Sequence, residues 1–213
     1  MSGYLADVAA LARKDLLIEL RARDTVPAML LFVVGALVVF HFALAEDDSR
    51  LAAAGMLWIA LLFTALLALV RAFVAEREEA TIDGLLLAPC DRSAIWLGKT
   101  IAIVAFLVLA EAVALPAFAL FYEPVTWELV AGVALANAGI ASVGTLLGAM
   151  AAAARARELL LPLLFMPLAI PIVVGGVGAT LAEDPLRYLG FLGLYDLIFA
   201  ILSWASFEYV VTE

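Results

Sequence analysis

Six apolar runs divide this chain, at 26–45, 51–73, 95–121, 127–153, 159–181 and 188–211, and its polar positions fall almost wholly between them. Roughly 20 apolar residues at helical rise suffice to cross a bilayer. A crossing segment must be helical, because lipid offers its backbone no hydrogen-bond partners. The pattern predicts an all-α polytopic membrane protein with six transmembrane helices, forming a single domain over 1–213. Residues 1–25 read differently. Leu5, Val8, Ala12, Leu16 and Leu20 fall on one helical stripe, and Asp7, Lys14 and Arg21 on another. That spacing predicts an amphipathic interfacial helix, the alternative being a solvated lead-in. Ala43-Leu44-Ala45 mimics a signal-peptidase site, but the apolar run before it exceeds a typical signal core, so the first span is expected to be retained.

The one sizeable polar interruption is 74–94, too polar to cross a bilayer and too long for a turn. Glu76, Arg77 and Glu78 make a charge cluster, followed by an apolar patch that includes Leu85. Gly84 permits a bend, Pro89 closes the segment, and Asp91 or Ser93 is placed to cap the next helix. Ten of the twelve Lys and Arg lie on the side of this loop and of both termini, and two on the other. The positive-inside bias therefore puts the loop and both termini in the cytoplasm. The outer turns are short and acidic, so the chain spends its exposed surface inside, as a docking surface for a soluble partner would require.

Composition then removes whole classes of function. Hydrophobic residues make up 67% of the chain, charged residues 15%, and mean hydropathy is +1.13. No ordinary soluble domain has that balance. Cys90 is the only cysteine, which excludes an internal disulfide and a Cys-Cys metal site, and no metal ligand set is expected. There is no phosphate-binding G-x-x-x-x-G-K-[ST] loop, so any ATP is bound by another chain, and no catalytic residues are expected. The net charge of −9 fits a salt-adapted surface or an attraction for cations at the outer loops, and no nucleic-acid partner is expected. Membrane lipid is the surrounding solvent.

Polar residues inside the spans are the candidate working parts. Glu111 lies ~15 Å from the outer end of span 3, and Asp196 ~12 Å from the outer end of span 6, at helical rise. An ionised carboxylate at such depth costs at least ~2.5 kcal/mol on insertion scales, so each should face a polar interior or carry a proton. Two readings stay open: a pathway or coupling site, or a pair that only fixes helix packing. His41, the only histidine, stands near the outer end of span 1, either as an interfacial residue or as an imidazole ligand. Asn137 is expected to bond between helices. Gly144-x-x-x-Gly148 allows a close helix approach, within the chain or between copies. Pro162, Pro167 and Pro171 remove three ladder donors, so span 5 is expected to be kinked or broken, with Pro167 and Pro171 as pathway candidates.

The order of helix, E-R-E, Leu-rich turn, Pro, and L-G-K opening the next span resembles the permeases of type-2 ABC exporters. The stretch WIALLFTALLALVRAFVAEREEATIDGLLLAPCDRSAIWLGK (Trp58–Lys99) is similar to the heme exporter protein B (CcmB) family, as are RARELLLPLLFMPLAIPIVVG (Arg155–Gly175) and RKDLLIELRAR (Arg13–Arg23). The closing FEYVVTE also resembles that family. Two features depart from it: the strong acidity, and Glu111, which matches no family motif. The resemblance implies a non-enzymatic permease subunit that pairs as a homodimer with ATPase subunits in cytochrome c maturation. Its implied partners are a heme-handling membrane protein and a heme chaperone, with heme as a transported or handed-over ligand rather than a bound cofactor, and His41 as the candidate axial contact for heme iron. On this reading Glu76, Arg77, Glu78, Gly84, Leu85, Pro89 and Arg92 would couple to the ATPase. The alternatives are a permease of the same class for a lipid, polysaccharide or drug, and a scaffold that uses no ATP.

Overall fold

In a computed structural model the described residues are 2–22, 25–43, 49–78, 90–153 and 157–212. Among them the chain forms seven helices: α1 (Ser2–Ala22), α2 (Thr25–Ala43), α3 (Ser49–Glu78), α4 (Arg92–Phe121), α5 (Trp127–Ala153), α6 (Arg157–Leu181) and α7 (Pro185–Thr212). Helices α2 to α7 are each long and apolar enough to cross a membrane.

Helix α5 is the spine of the bundle. Two-thirds of its span (67%) is buried, against 17% for α2 and 22% for α7, so those two turn most of their surface outward. It packs against α3, α4, α6 and α7. Its small residues permit this: a Cβ at Gly144 would run into Leu69 of α3, and one at Gly132 would touch Ala179 of α6. The small-residue motif at Gly144 thus serves packing inside the chain. On α6, Gly176 admits the Trp58 ring, whose Nε1 donates to Thr180 Oγ1 at 3.1 Å.

Helices α3 and α4 have 30 residues each, or ~45 Å at helical rise, more than the ~30 Å of a hydrocarbon core. For α3 the excess lies beyond Ala72, toward the end of the bundle that also carries the start of α4 and the end of α7; we call this the basal end. The helix continues through Glu76, Arg77 and Glu78, so these positions prolong a span rather than open a loop. Helix α4 begins at Arg92, three residues ahead of the apolar run, because Asp91 caps it by accepting from the Ser93 amide at 2.9 Å. Gly84, Leu85 and Pro89 lie outside the described residues.

Helix α1 lies against the basal end of α4. Gly98 makes the contact close, since a Cβ there would meet Leu11 Cβ and the Val8 carbonyl. Val8 and Ala12 are buried in the seam, while Leu5, Leu17 and Leu20 stay exposed along another edge. The amphipathic stripe is thus divided, part docked on protein and part facing outward as an interfacial helix does. Despite its three prolines, α6 is one continuous helix, so of the two expectations, kinked or broken, the break is excluded. A tertiary bond is added beside the prolines: the Leu168 carbonyl accepts from the Tyr195 hydroxyl at 2.7 Å, which ties α7 to α6.

Candidate functional site

The polar groups of the bundle collect in two layers. The deeper one surrounds α5 at mid-height. Glu111 is ten residues from the end of α4 and Asn137 ten residues from the start of α5, each ~15 Å in from the turn that joins these helices. That common depth lets Asn137 Nδ2 donate to Glu111 Oε2 at 2.8 Å. Asn137 is buried and Glu111 partly so. Around them Trp58 and Leu61 of α3, Leu107 of α4, Val133 of α5 and Ile172 of α6 line a narrow crevice. Its walls are apolar, with the carboxyl and the amide as its polar groups.

Asp196 occupies the same layer, eleven residues or ~16 Å into α7. It meets α5 at Gly139, two residues on from Asn137. Two residues turn an α-helix by ~200°, so the two acids address opposite sides of α5. Their equal depth does not make them a pair. A Cβ at Gly139 would come within 2.5 Å of Asp196 Oδ1, so the carboxyl fills the space a side chain would take. Both of its oxygens are buried without a hydrogen-bond partner.

The second layer lies toward the basal end. Trp96 Nε1 donates to Ser203 Oγ at 2.8 Å, and Ser203 Oγ donates to the Ser142 carbonyl at 2.7 Å, tying α4, α7 and α5 together. The hydroxyls of Thr100 and Thr145 sit 3.2 Å apart beside this chain. Lys99 is buried, its Nζ 3.7 Å from Asp15 of α1, and Lys14 reaches the other oxygen of Asp15 at 2.9 Å. Charges removed from water need partners of this kind. Sequence reasoning missed the whole layer. Its signal is Lys99 and Thr100 near the start of the third apolar run.

The remaining candidates are scattered. His41 is exposed at the end of α2, its ring 5.3 to 5.6 Å from those of Phe42, Phe121 and Tyr122. The Tyr122 hydroxyl donates to the Leu37 carbonyl at 2.7 Å, fixing this aromatic cluster between α2 and α4. Pro167 is exposed and Pro171 half-buried, and neither lines the crevice. Arg92 is drawn back onto its own chain, with Nη1 3.2 Å from Glu208 Oε1 of α7. Among the described residues, no three His, Cys, Asp or Glu side chains gather as a metal site. Hydrogen bonds outweigh burial at Asp91, at the mouth of α4. The Ser93 amide, and then the Ser93 hydroxyl, hold its carboxyl below the usual value.

Comparison with known proteins gives this arrangement its context. The family pattern described as CcmB protein matches residues 6–204. The heme exporter protein B of Paracoccus denitrificans is 29% identical over 207 residues, covering 93% of this chain and 94% of that protein. The protein of the same name from Bradyrhizobium diazoefficiens is also 29% identical, over 180 residues, covering 82% and 81%. That from Rhodobacter capsulatus matches at 29% over 172 residues, covering 78% and 79%.

Proposed function

The chain belongs to the CcmB protein family, and from that premise we propose that it is the membrane permease subunit for heme export in cytochrome c maturation. The observation that carries the reading is the family match over residues 6–204, which takes in all or most of every span. Such a chain works as a transporter subunit, and six crossing helices without a nucleotide-binding loop suit a permease driven from outside.

Geometry supports the finer parts of the proposal. An ABC ATPase docks at the basal end, where α3 extends past its span through Glu76, Arg77 and Glu78 and where α1, α4 and α7 converge. Motion at that end travels up α4 and α5 through the Trp96–Ser203–Ser142 chain toward Glu111. With α5 filling the middle of the bundle, a molecule as large as heme needs a passage built with a second copy, so the permease works as a homodimer. The basal end faces the cytoplasm of a bacterial plasma membrane, as the ten-to-two distribution of basic residues favours. His41 and its aromatic neighbours then lie at the outer face, where heme is passed to a heme-handling membrane protein and a chaperone.

Complementation tests the reading. A Paracoccus denitrificans strain lacking its own heme exporter protein B should regain covalent c-type cytochromes when this chain is expressed in its membrane. Normal membrane levels without any cytochrome c would overturn the heme assignment. Purification in mild detergent should recover an ATPase in equal amount, and its absence from a chain active in complementation would overturn the ABC mechanism.

A further inference from the structure

We propose that Asp196 is a proton-binding site inside the membrane: with α5 and α7 packed as they are, its carboxyl is held as the neutral acid in the slot at Gly139, and it ionises only when these helices part. The inference stands apart from the identity of the cargo.

The slot decides which ligand can occupy it. Asp196 is 9% exposed, and its two carboxyl oxygens lie beneath the surface with no hydrogen-bond partner. A carboxylate in this position would be a buried charge with neither counter-ion nor donor, the costliest state a side chain can take. The neutral acid carries no such charge. A bound metal cation would need several oxygen ligands around it. The neighbours of the slot are Gly139, the Ile172 side chain and the edge of the Tyr195 ring, which supply none. The Tyr195 hydroxyl points elsewhere, to the Leu168 carbonyl of α6. With its oxygens below the surface, the carboxyl is also closed to a lipid headgroup or to a side chain from a second copy. A proton is the one ligand small enough.

The charged groups on the elements packed against α7 leave it alone. Along α5 the polar side chain nearest in sequence is Asn137, committed to Glu111 on the far side of the helix. The charged residues of α6, Arg157 and Glu158, stand at its first turn, and Glu128 stands at the first turn of α5. Arg92 and Lys99 of α4 lie at the basal end, and Arg187 and Glu208 of α7 stand nine and twelve residues along the helix from Asp196. Tyr195 is the single titratable neighbour in contact. Parting α5 from α7 would admit water to the carboxyl, which then releases its proton; closing the seam takes one up again.

Infrared spectroscopy of the full chain in lipid nanodiscs tests this directly. Asp196 is the only one of nine aspartates that lies inside a span. Incorporation of aspartate labelled with ¹³C at the side-chain carboxyl should shift an acid carbonyl band present at neutral pH. The other aspartates should appear only as carboxylate, and Asp196→Asn should remove the band. A labelled protein showing carboxylate bands alone at neutral pH overturns the proposal. The isotope is read in the unaltered chain, so a failure of Asp196→Asn to fold does not spoil the test. Loss of heme export in the complementation assay with the acid band intact would leave this site standing while the cargo assignment falls.

Discussion

Glu111 and Asp196 are two carboxyls at one depth in one bundle, on opposite sides of the same helix, and their surroundings differ in every respect that matters. Glu111 has an amide donor and an open crevice in front of it. Asp196 has a glycine, an isoleucine and the edge of a ring, and nothing to bond. Depth alone says that both are costly. The partner decides what each can do: the first is held by an amide donor at the edge of a crevice, whereas the second can hold only a proton. A turn of ~200° on α5 separates the two outcomes.

The sharpest way to break this contrast is to fill the slot. Gly139→Val should drive a branched side chain into Asp196, Ile172 and Tyr195, costing about 1–3 kcal/mol or more as overpacking does. Thermal unfolding followed by size-exclusion chromatography in detergent would read the loss. A variant as stable as the parent would mean that α5 and α7 are not seamed as described.

The next test separates the two acids by deleting each. Glu111→Leu leaves the Asn137 amide buried without its acceptor, and an orphaned polar group costs about 1–3 kcal/mol. Asp196→Leu removes a group that has no partner to orphan, so it should be neutral or stabilising for the fold. Equal destabilisation by both would erase the distinction. In activity the order should differ. Glu111→Gln and Asp196→Asn keep shape and lose the acid, and both should lower cytochrome c maturation at unchanged protein levels. Full maturation with both amides in place would reduce the two residues to packing.

A smaller effect concerns the basal layer. Ser203→Ala removes the acceptor of the Trp96 indole and the donor to Ser142, and should cost on the order of 1–2 kcal/mol. Where the ATPase is present, the same change should weaken the dependence of transport on hydrolysis more than it lowers hydrolysis itself. Hydrolysis and transport that fall together would remove this layer from the coupling route.

Much of the fold was legible because lipid enforces it. Every span had to appear as an apolar run, and each did, with its ends misjudged only where water resumes. Helix α3 outruns its apolar stretch to reach Glu78, and α4 starts early on the Asp91 cap, because capping and helix extension in water leave no trace in hydropathy. The partners of buried polar groups were not legible. Which way Asn137 turns depends on the rotation of α5 within the bundle, and the slot at Gly139 is visible only once α7 lies against it. That the prolines of α6 leave the helix unbroken, and that the Tyr195 hydroxyl of α7 reaches the Leu168 carbonyl beside them, also needed the packed bundle. The docking of α1 on Gly98 likewise needed the three-dimensional seam.

The smallest expected effect carries the comparison to the water. Asp91 has the same side chain as Asp196, but it stands outside the spans with the Ser93 amide and hydroxyl as donors, which hold its carboxyl below the usual value. A group whose folded value is depressed contributes stability above its unfolded value and loses that contribution as pH falls through the folded one. The cap on α4 should therefore be fully in place at neutral pH and weaken only in acid, below the ordinary carboxylate range. Asp91→Ala should remove that acid-side loss and fray the first turn of α4, leaving the spans intact. Hydrogen exchange at the Ser93 and Ala94 amides, followed against pH, would report it. Protection that does not respond to acid in the unaltered chain would mean the charge at Asp91 contributes nothing, and that this carboxyl, like the one at mid-membrane, is set by something other than its donors.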